Sequence, residues 1–388
     1  MIRYRKMAII AAALIFISGV SNAQTEPKKE KKELISFPAQ IGFFFPCGTH
    51  GRQSTDYKYN FSLNLVYGKI GGLNGVGING LFGSVEGDVS GVQIAGVGNA
   101  SDEVKGVQIA GFGNASDGVK GVQIAGFGNA SDEMRGIQIA GFGNASDEAR
   151  GIQIAGFGNA ADDVEGIQIA GFSNAADEIK GIQIAGIANG ADKITGLQIG
   201  GIYNRTRTLR GLQIGLVCVT DTIEKGISLS LVNIVKRGFY KEWELSFSDY
   251  ANISVSYKMG AQKFYTLYAI GANFIEDNLW NVGFGFGSCL PIGNKFDFRP
   301  ELVQYNYFPQ NFKNARFTPA THLKFGFVYN ISEKTGLSLT PSVYVMNSDR
   351  AQDSEYYKVS PINALYTHEK NNKRTTIGVG VSLGLSLR

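Results

Sequence analysis

Hydrophobic and polar positions alternate along most of this chain, in two textures. From Gly91 a fifteen-residue phrase recurs in strict register at Gly106, Gly121, Gly136, Gly151, Gly166, Gly181, Gly196 and Gly211. In the copy GVQIAGFGNASDEMR, Val122 and Ile124 alternate with Gln123 and Ala125, the period-2 signature of a strand. Gly126 interrupts, Phe127 restores a large apolar group, Asn129 has a counterpart in nearly every unit, and SDE reads as a polar turn. A small or apolar residue near the unit end (Val104, Val119, Met134, Val164, Ile179, Ile194) points inward again. Looser copies precede the array: GVGINGLFGSVEGDVS at Gly75 and NFSLNLVYGKIGGLN at Asn60. After Gly211 the phrase degrades through GLQIGLVCVTDTIEK, and atypical end units are characteristic of stacked arrays.

Two architectures can use such a unit. In a parallel β-solenoid each unit is one coil, and identical positions stack about 4.8 Å apart. Internal ladders are then expected from Val/Ile, Ile and Phe, with Gln and Asn amides bonded to their copies above and below and glycines at corners. In the alternative, each unit is one strand of a large up-and-down barrel. The solenoid is preferred because neither face of VQIAGFGN suits lipid, and because antiparallel strands would give the two ends of a barrel different turns.

Past about Gly238 the second texture begins. Trp243, Leu245 and Phe247 alternate with Glu242, Glu244 and Ser246, and Ile253, Val255 and Tyr257 with Ser254, Ser256 and Lys258. Further strand-like runs are FYTLYAIGANF, LWNVGFGFGSCL, FDFRPELVQYNYF, THLKFGFVYNI and GLSLTPSVYVM. In TTIGVGVSLGLSLR the aliphatic residues share one side and Gly or Ser the other. About eight such strands read as an antiparallel barrel of the outer-membrane type, aliphatic side to lipid and small side inward. A soluble β-sandwich or lipocalin-like barrel alternates equally well, and the ending Leu387-Arg388 lacks the aromatic residue that closes many bacterial barrels. The stretch ELISFPAQIGFFFP offers one more strand.

The N-terminus adds a destination. Arg3, Arg5 and Lys6 precede an apolar run from Met7 to about Val20, and Ser21-Asn22-Ala23 offers a cleavage site before Gln24. TEPKKEKKE then reads as a solvated linker. No other segment is long and apolar enough for a membrane helix, so any insertion must use strands. The expected organisation is a signal peptide (1–23), a charged linker (24–33), an N-terminal strand region (34–59), the repeat array (60–237) and a barrel-like domain (238–388). The formal charge of +4 includes the three leader cations, so the mature chain is near neutral and nothing points to nucleic acid.

Candidate chemistry is sparse. His50, His322 and His368 lie in unrelated stretches, and no Ser/His/Asp, Cys/His, CxxC or HExxH arrangement exists. Cys47, Cys218 and Cys289 form no disulfide framework, though one bridge between two of them is open. GFGFGS (283–288) superficially resembles a phosphate loop, but it sits within a strand pattern with no helix after it. Asp102, Asp117, Asp132, Asp147, Asp162 and Asp177 would stack into a carboxylate column, relieved either by calcium or by Lys105, Lys120, Arg135 and Arg150. The calcium phrase GGxGxD is missing, which favours the salt-bridged edge. The Asn-Ala-Ser triplets match the glycosylation pattern only as a by-product of the repeat. No catalytic, cofactor-binding or metal-ligating residue is assigned, and no cofactor is expected.

The phrase GxQIAGxxN, the lead-in FSLNLVYG and the exit NIVKRGFYKEWELSFSDYANISVSYKMG resemble surface-repeat proteins found as families in Leptospira and Bacteroides-type bacteria. The resemblance covers about half of the chain. It implies an exported surface or outer-envelope protein and brings no catalytic residues with it. The reading is an all-β, non-enzymatic cell-envelope protein: a parallel β-solenoid of fifteen-residue repeats plus a C-terminal outer-membrane-type antiparallel barrel. Its partners would be outer-membrane lipid and an unidentified protein or glycan. The competing functions are an outer-membrane pore whose wall includes the repeats and a secreted β-helical polysaccharide-acting enzyme.

Overall fold

The computed structural model describes residues 33–274, 279–309, 317–349, 363–370 and 373–388. The expected signal peptide, and the linker up to residue 32, lie outside the described residues. The chain divides into two compact units, Met1–Gly215 and Leu216–Arg388.

The first unit is a solenoid. The strands Gly98–Ala110, Gly113–Ala125, Gly128–Ala140, Gly143–Ala155, Gly158–Ala170, Ser173–Ala185 and Ala188–Gly200 each pair in parallel with the next. Each residue faces its own copy: Gln138 stands opposite Gln123 on one side and Gln153 on the other. Parallel neighbours dispose of the large up-and-down barrel, in which adjacent strands must alternate in direction. The looser copies belong to the same ladder, with Leu63 opposite Ile78 and Ile78 opposite Ile94. The stretch ELISFPAQIGFFFP does supply a strand, Ile35–Phe44, and it pairs in parallel with Tyr57–Ile70, extending the array.

Two glycines per coil are required for different reasons. Gly121 has φ +149°, and a Cβ there would overlap the Gly106 carbonyl oxygen. Gly126 has an ordinary φ, but its backbone lies so close to the coil before it that a Cβ would overlap Gly111 O.

The interior of the coil reverses the sequence expectation. The Val/Ile and Ile positions of the phrase point outward: Ile124, Ile139 and Ile154 are each 37% exposed. Phe127 is half-buried at a bend. The inward side carries Gln123, Ala125, Asn129 and Ser131, all buried, together with the expected unit-end residues Val119, Met134, Ile179 and Ile194. The reason is amide satisfaction. Gln138 Nε2 donates to Gln123 Oε1 at 2.8 Å, and Gln153 Nε2 to Gln138 Oε1 at 2.9 Å. This Gln ladder continues unbroken from Gln93 to Gln213. An Asn ladder runs beside it, Asn129 Nδ2 donating to Asn144 Oδ1 at 2.9 Å and also to Ile139 O at 2.8 Å. Each Gln donates to the coil before it and each Asn to the coil after, so the side-chain dipoles of the two ladders oppose one another. Burying an amide is costly only when it is unpaired, and an in-register stack provides its partner automatically.

The second unit contains a closed antiparallel barrel of eight strands: Phe239–Ser248, Ile253–Ala261, Phe264–Asn273, Leu279–Gly287, Phe296–Pro309, Thr318–Asn330, Thr335–Asp349 and Lys373–Leu387. Consecutive members pair, and the last returns to the first, from Trp243 opposite Leu387 to Ser248 opposite Ser382. A barrel of this size has an interior just wide enough for side chains to fill.

Candidate functional site

Three surfaces carry enough chemistry to be functional: the apolar face of the array, its charged columns and the barrel lumen. The apolar face is made by two outward ladders. One runs from Ile41 through Leu63, Ile78 and Ile94, then every fifteenth residue to Ile214. The other runs from Ala39 through Phe61, Val76 and Val92 to Leu212 in the same register. Neither ladder contains a polar or charged residue. A third column borders them, in which the rings of Phe112, Phe127, Phe142, Phe157 and Phe172 stack 4.7–4.8 Å apart and within 6° of parallel. The expected Phe ladder therefore exists, on the outside.

The charged columns follow. The Asp column forms as expected: burial raises the pKa of Asp132, and the neighbouring charges of Asp117, Asp147 and Glu133 raise it further. Three of the four basic residues offered as its neutralisers pair elsewhere. Lys105 pairs with Glu103 at 3.6 Å, Arg135 with Glu133 at 3.7 Å and Arg150 with Glu148 at 3.3 Å. Each cation lies two residues beyond a Glu on the same stretch, so the local partner wins. Among the described residues of the column, Asp192 pairs with Arg207 one coil on, at 3.2 Å. No group of three or more His, Cys, Asp or Glu among the described residues is placed to hold a metal ion.

The barrel lumen holds a buried charge network. Lys258 Nζ lies 2.6 Å from Glu244, 2.8 Å from Glu301 and 3.5 Å from Glu242. Arg299 pairs with Glu242 and, at 3.6 Å, with Asp297. Arg388 reaches Glu242 at 3.0 Å and also Asp297, and so joins the network. Lys324 donates to Tyr305 Oη at 3.2 Å. Tyr265 donates to Glu301 at 2.7 Å and Tyr240 to Glu242 at 2.8 Å. Four carboxylates and four cations thus occupy the lumen together.

The residues singled out in the sequence are scattered. His50 Nδ1 is 2.7 Å from Tyr59 Oη, and its ring stacks on Tyr57 at 3.9 Å. Burial and nearby Tyr57 push the Tyr59 phenol up to about 12. His322 is buried in the barrel among Tyr250, Tyr305 and Tyr344, and His368 stacks loosely on Tyr366. No disulfide joins Cys47, Cys218 and Cys289, the first of which is exposed and the others buried. Gly283 and Gly287 of GFGFGS face inward beneath the rings of Tyr305 and Tyr265, where any Cβ would collide. They are packing glycines on a crowded strand face. The lumenal network escaped the sequence reading, although alternate-position charges in Glu242, Glu244 and Lys258 were its visible trace.

No protein-family profile matches the chain, and no curated protein does. Among solved structures, the crystal structure of Neisserial surface protein A (NspA) is similar at 10% identity and a TM-score of 0.22, covering 39% of this chain and 96% of that one.

Proposed function

We propose that this chain is an exported, non-enzymatic protein of the bacterial outer envelope, held in the outer membrane by its barrel and presenting the solenoid as a regular binding surface. The observation that carries the reading is the reversed polarity of the barrel. Its outward side bears Trp243, Phe247, Leu302, Leu337, Leu383 and Leu387, each more than half exposed, while Glu242, Lys258, Arg299 and Glu301 are buried inside. In water that distribution is unfavourable on both counts; against hydrocarbon it is the expected one. The reading is supported by the export-signal pattern at 1–23 and by the resemblance of GxQIAGxxN to surface-repeat proteins. The filled, formally neutral lumen disfavours a pore. A uniform array, with no cluster of acid and base residues in a cleft, disfavours a polysaccharide-acting enzyme.

Cell fractionation tests this. The native protein is expected in the outer-membrane fraction and, without heating, to migrate as a compact folded band in a detergent gel. Recovery of the folded protein only from the soluble periplasmic fraction overturns the reading.

A further inference from the structure

The apolar face of the array is far larger than a solvated protein surface tolerates. Its two ladders cross twelve successive strands. At about 4.8 Å per strand the face is about 50 Å long. With the Phe column it is about 15 Å wide, or about 750 Å², beyond the largest apolar patch of an ordinary monomer. We propose that this face is the interface of a twofold dimer between two copies of this chain. The inference rests on the scaffold reading above only in taking the array as a binding surface.

Three features point to a second copy. The first is area: two such faces together would bury about 1,500 Å², within the range of a specific stable protein interface. The second is period. The rows of side chains recur at the 4.7–4.8 Å spacing seen in the Phe column. A second copy carries ridges and grooves of the same pitch, and flat sheets pack face to face about 10 Å apart. The third is the borders. Over four successive coils a basic column (Lys105, Lys120, Arg135, Arg150) precedes the face, Glu165 and Lys180 continue it, and the Phe column follows the face. A twofold axis parallel to the coil stack sets each copy's basic column beside the other's Phe rings, a cation–π arrangement. An axis across the stack would set cation against cation. The parallel arrangement is therefore the one proposed. A lipid surface fits less well, because exposed carboxylates (Glu133 and Asp163 beside the basic column, Glu165 within it) would be driven toward the head groups.

The test uses the full chain with Cys47→Ser, which removes the exposed thiol. Mass is measured in nanodiscs wide enough for two copies, or in buffer if the protein proves soluble. Ile139→Cys on the face and Ala130→Cys off it are treated with a bismaleimide of about 10–15 Å span, chosen for the sheet-to-sheet distance. The expected result is a mass of two copies, a covalent dimer from Ile139→Cys and none from Ala130→Cys. Ile139→Glu should halve the mass, with an unchanged β-type circular dichroism spectrum showing that the coil survives. A one-copy mass for the parent protein, or equal cross-linking at both positions, overturns the proposal. So does an introduced thiol in Ile139→Cys that reacts freely until phosphatidylethanolamine–phosphatidylglycerol vesicles are added, which would make lipid the occupant. Fractionation bears on the envelope reading alone, so the two can fail separately.

Discussion

Replacing Gln138 by Leu should damage the array more than replacing its outward neighbour Ile139 by Thr, the reverse of what hydropathy suggests. Gln138 is fully buried and makes three side-chain bonds: to Gln123 Oε1 at 2.8 Å, to Ser131 Oγ at 3.0 Å, and from Gln153 Nε2 at 2.9 Å. Leu keeps most of the volume and removes all three. At about 1–1.5 kcal/mol for each buried bond broken with its partner left behind, the loss is about 3–5 kcal/mol. Burying a Leu side chain returns about 2 kcal/mol, leaving a net cost of about 1–3 kcal/mol. Ile139 is 37% exposed, and Thr keeps the β-branched stem, so that change should cost no more than about 1 kcal/mol. A solenoid opens locally, so a single melting temperature is a poor readout. Amide hydrogen exchange across residues 136–150, with the chain dilute and unpaired, reports the coil itself. Exchange should quicken about 5–150-fold in Gln138→Leu and no more than about 5-fold in Ile139→Thr. If Ile139→Thr opens the coil more than Gln138→Leu, the amide ladders do not hold the array and the inside-out assignment fails.

Gly126→Ala should open the coil even though φ there is ordinary, because the added Cβ meets Gly111 O; protection of that coil from trypsin, which can cut at Arg135, is expected to fall. Asp132→Asn should stabilise the array at neutral pH. Because burial and then its Asp neighbours raise the folded pKa of Asp132, the folded state holds this proton more tightly than the unfolded chain does. Stability should therefore rise as pH falls through the raised folded pKa and level off below the unfolded value, an effect read by hydrogen exchange and absent in Asp132→Asn. Lys258→Met removes the cation shared by Glu242, Glu244 and Glu301, and at about 3–5 kcal/mol for a broken buried pair the compact unheated gel band should disappear. Leu383→Lys, on the outward side of the last strand, should cost about 2–4 kcal/mol if it lies near the middle of a bilayer and almost nothing if the barrel faces water, as judged by urea unfolding in liposomes.

The lumenal network shows why part of the candidate chemistry could not be read along the chain. Glu242 and Arg388 are 146 residues apart, and Arg299 and Glu242 are 57 apart. They meet because the strand Lys373–Leu387 closes on Phe239–Ser248, and no local spacing encodes that closure. The strands themselves were visible, because aliphatic and small residues alternate in each and period 2 assigns them to opposite faces.

For the array, the sequence alone determined the period and the two sets of side chains that share a face, and it favoured parallel stacking over an antiparallel barrel without deciding between them. An identical phrase in strict register leaves each coil the same neighbours, so like must stack on like. Which set points inward was decided only by the tertiary structure. Alternation is symmetric between the two faces, and hydropathy broke the tie the wrong way, toward Val122, Ile124 and Phe127. The coil instead encloses Gln123 and Asn129 with Ala125, because each buried amide in the middle of the stack finds its partner one coil away. The apolar ladders are thereby left on the surface.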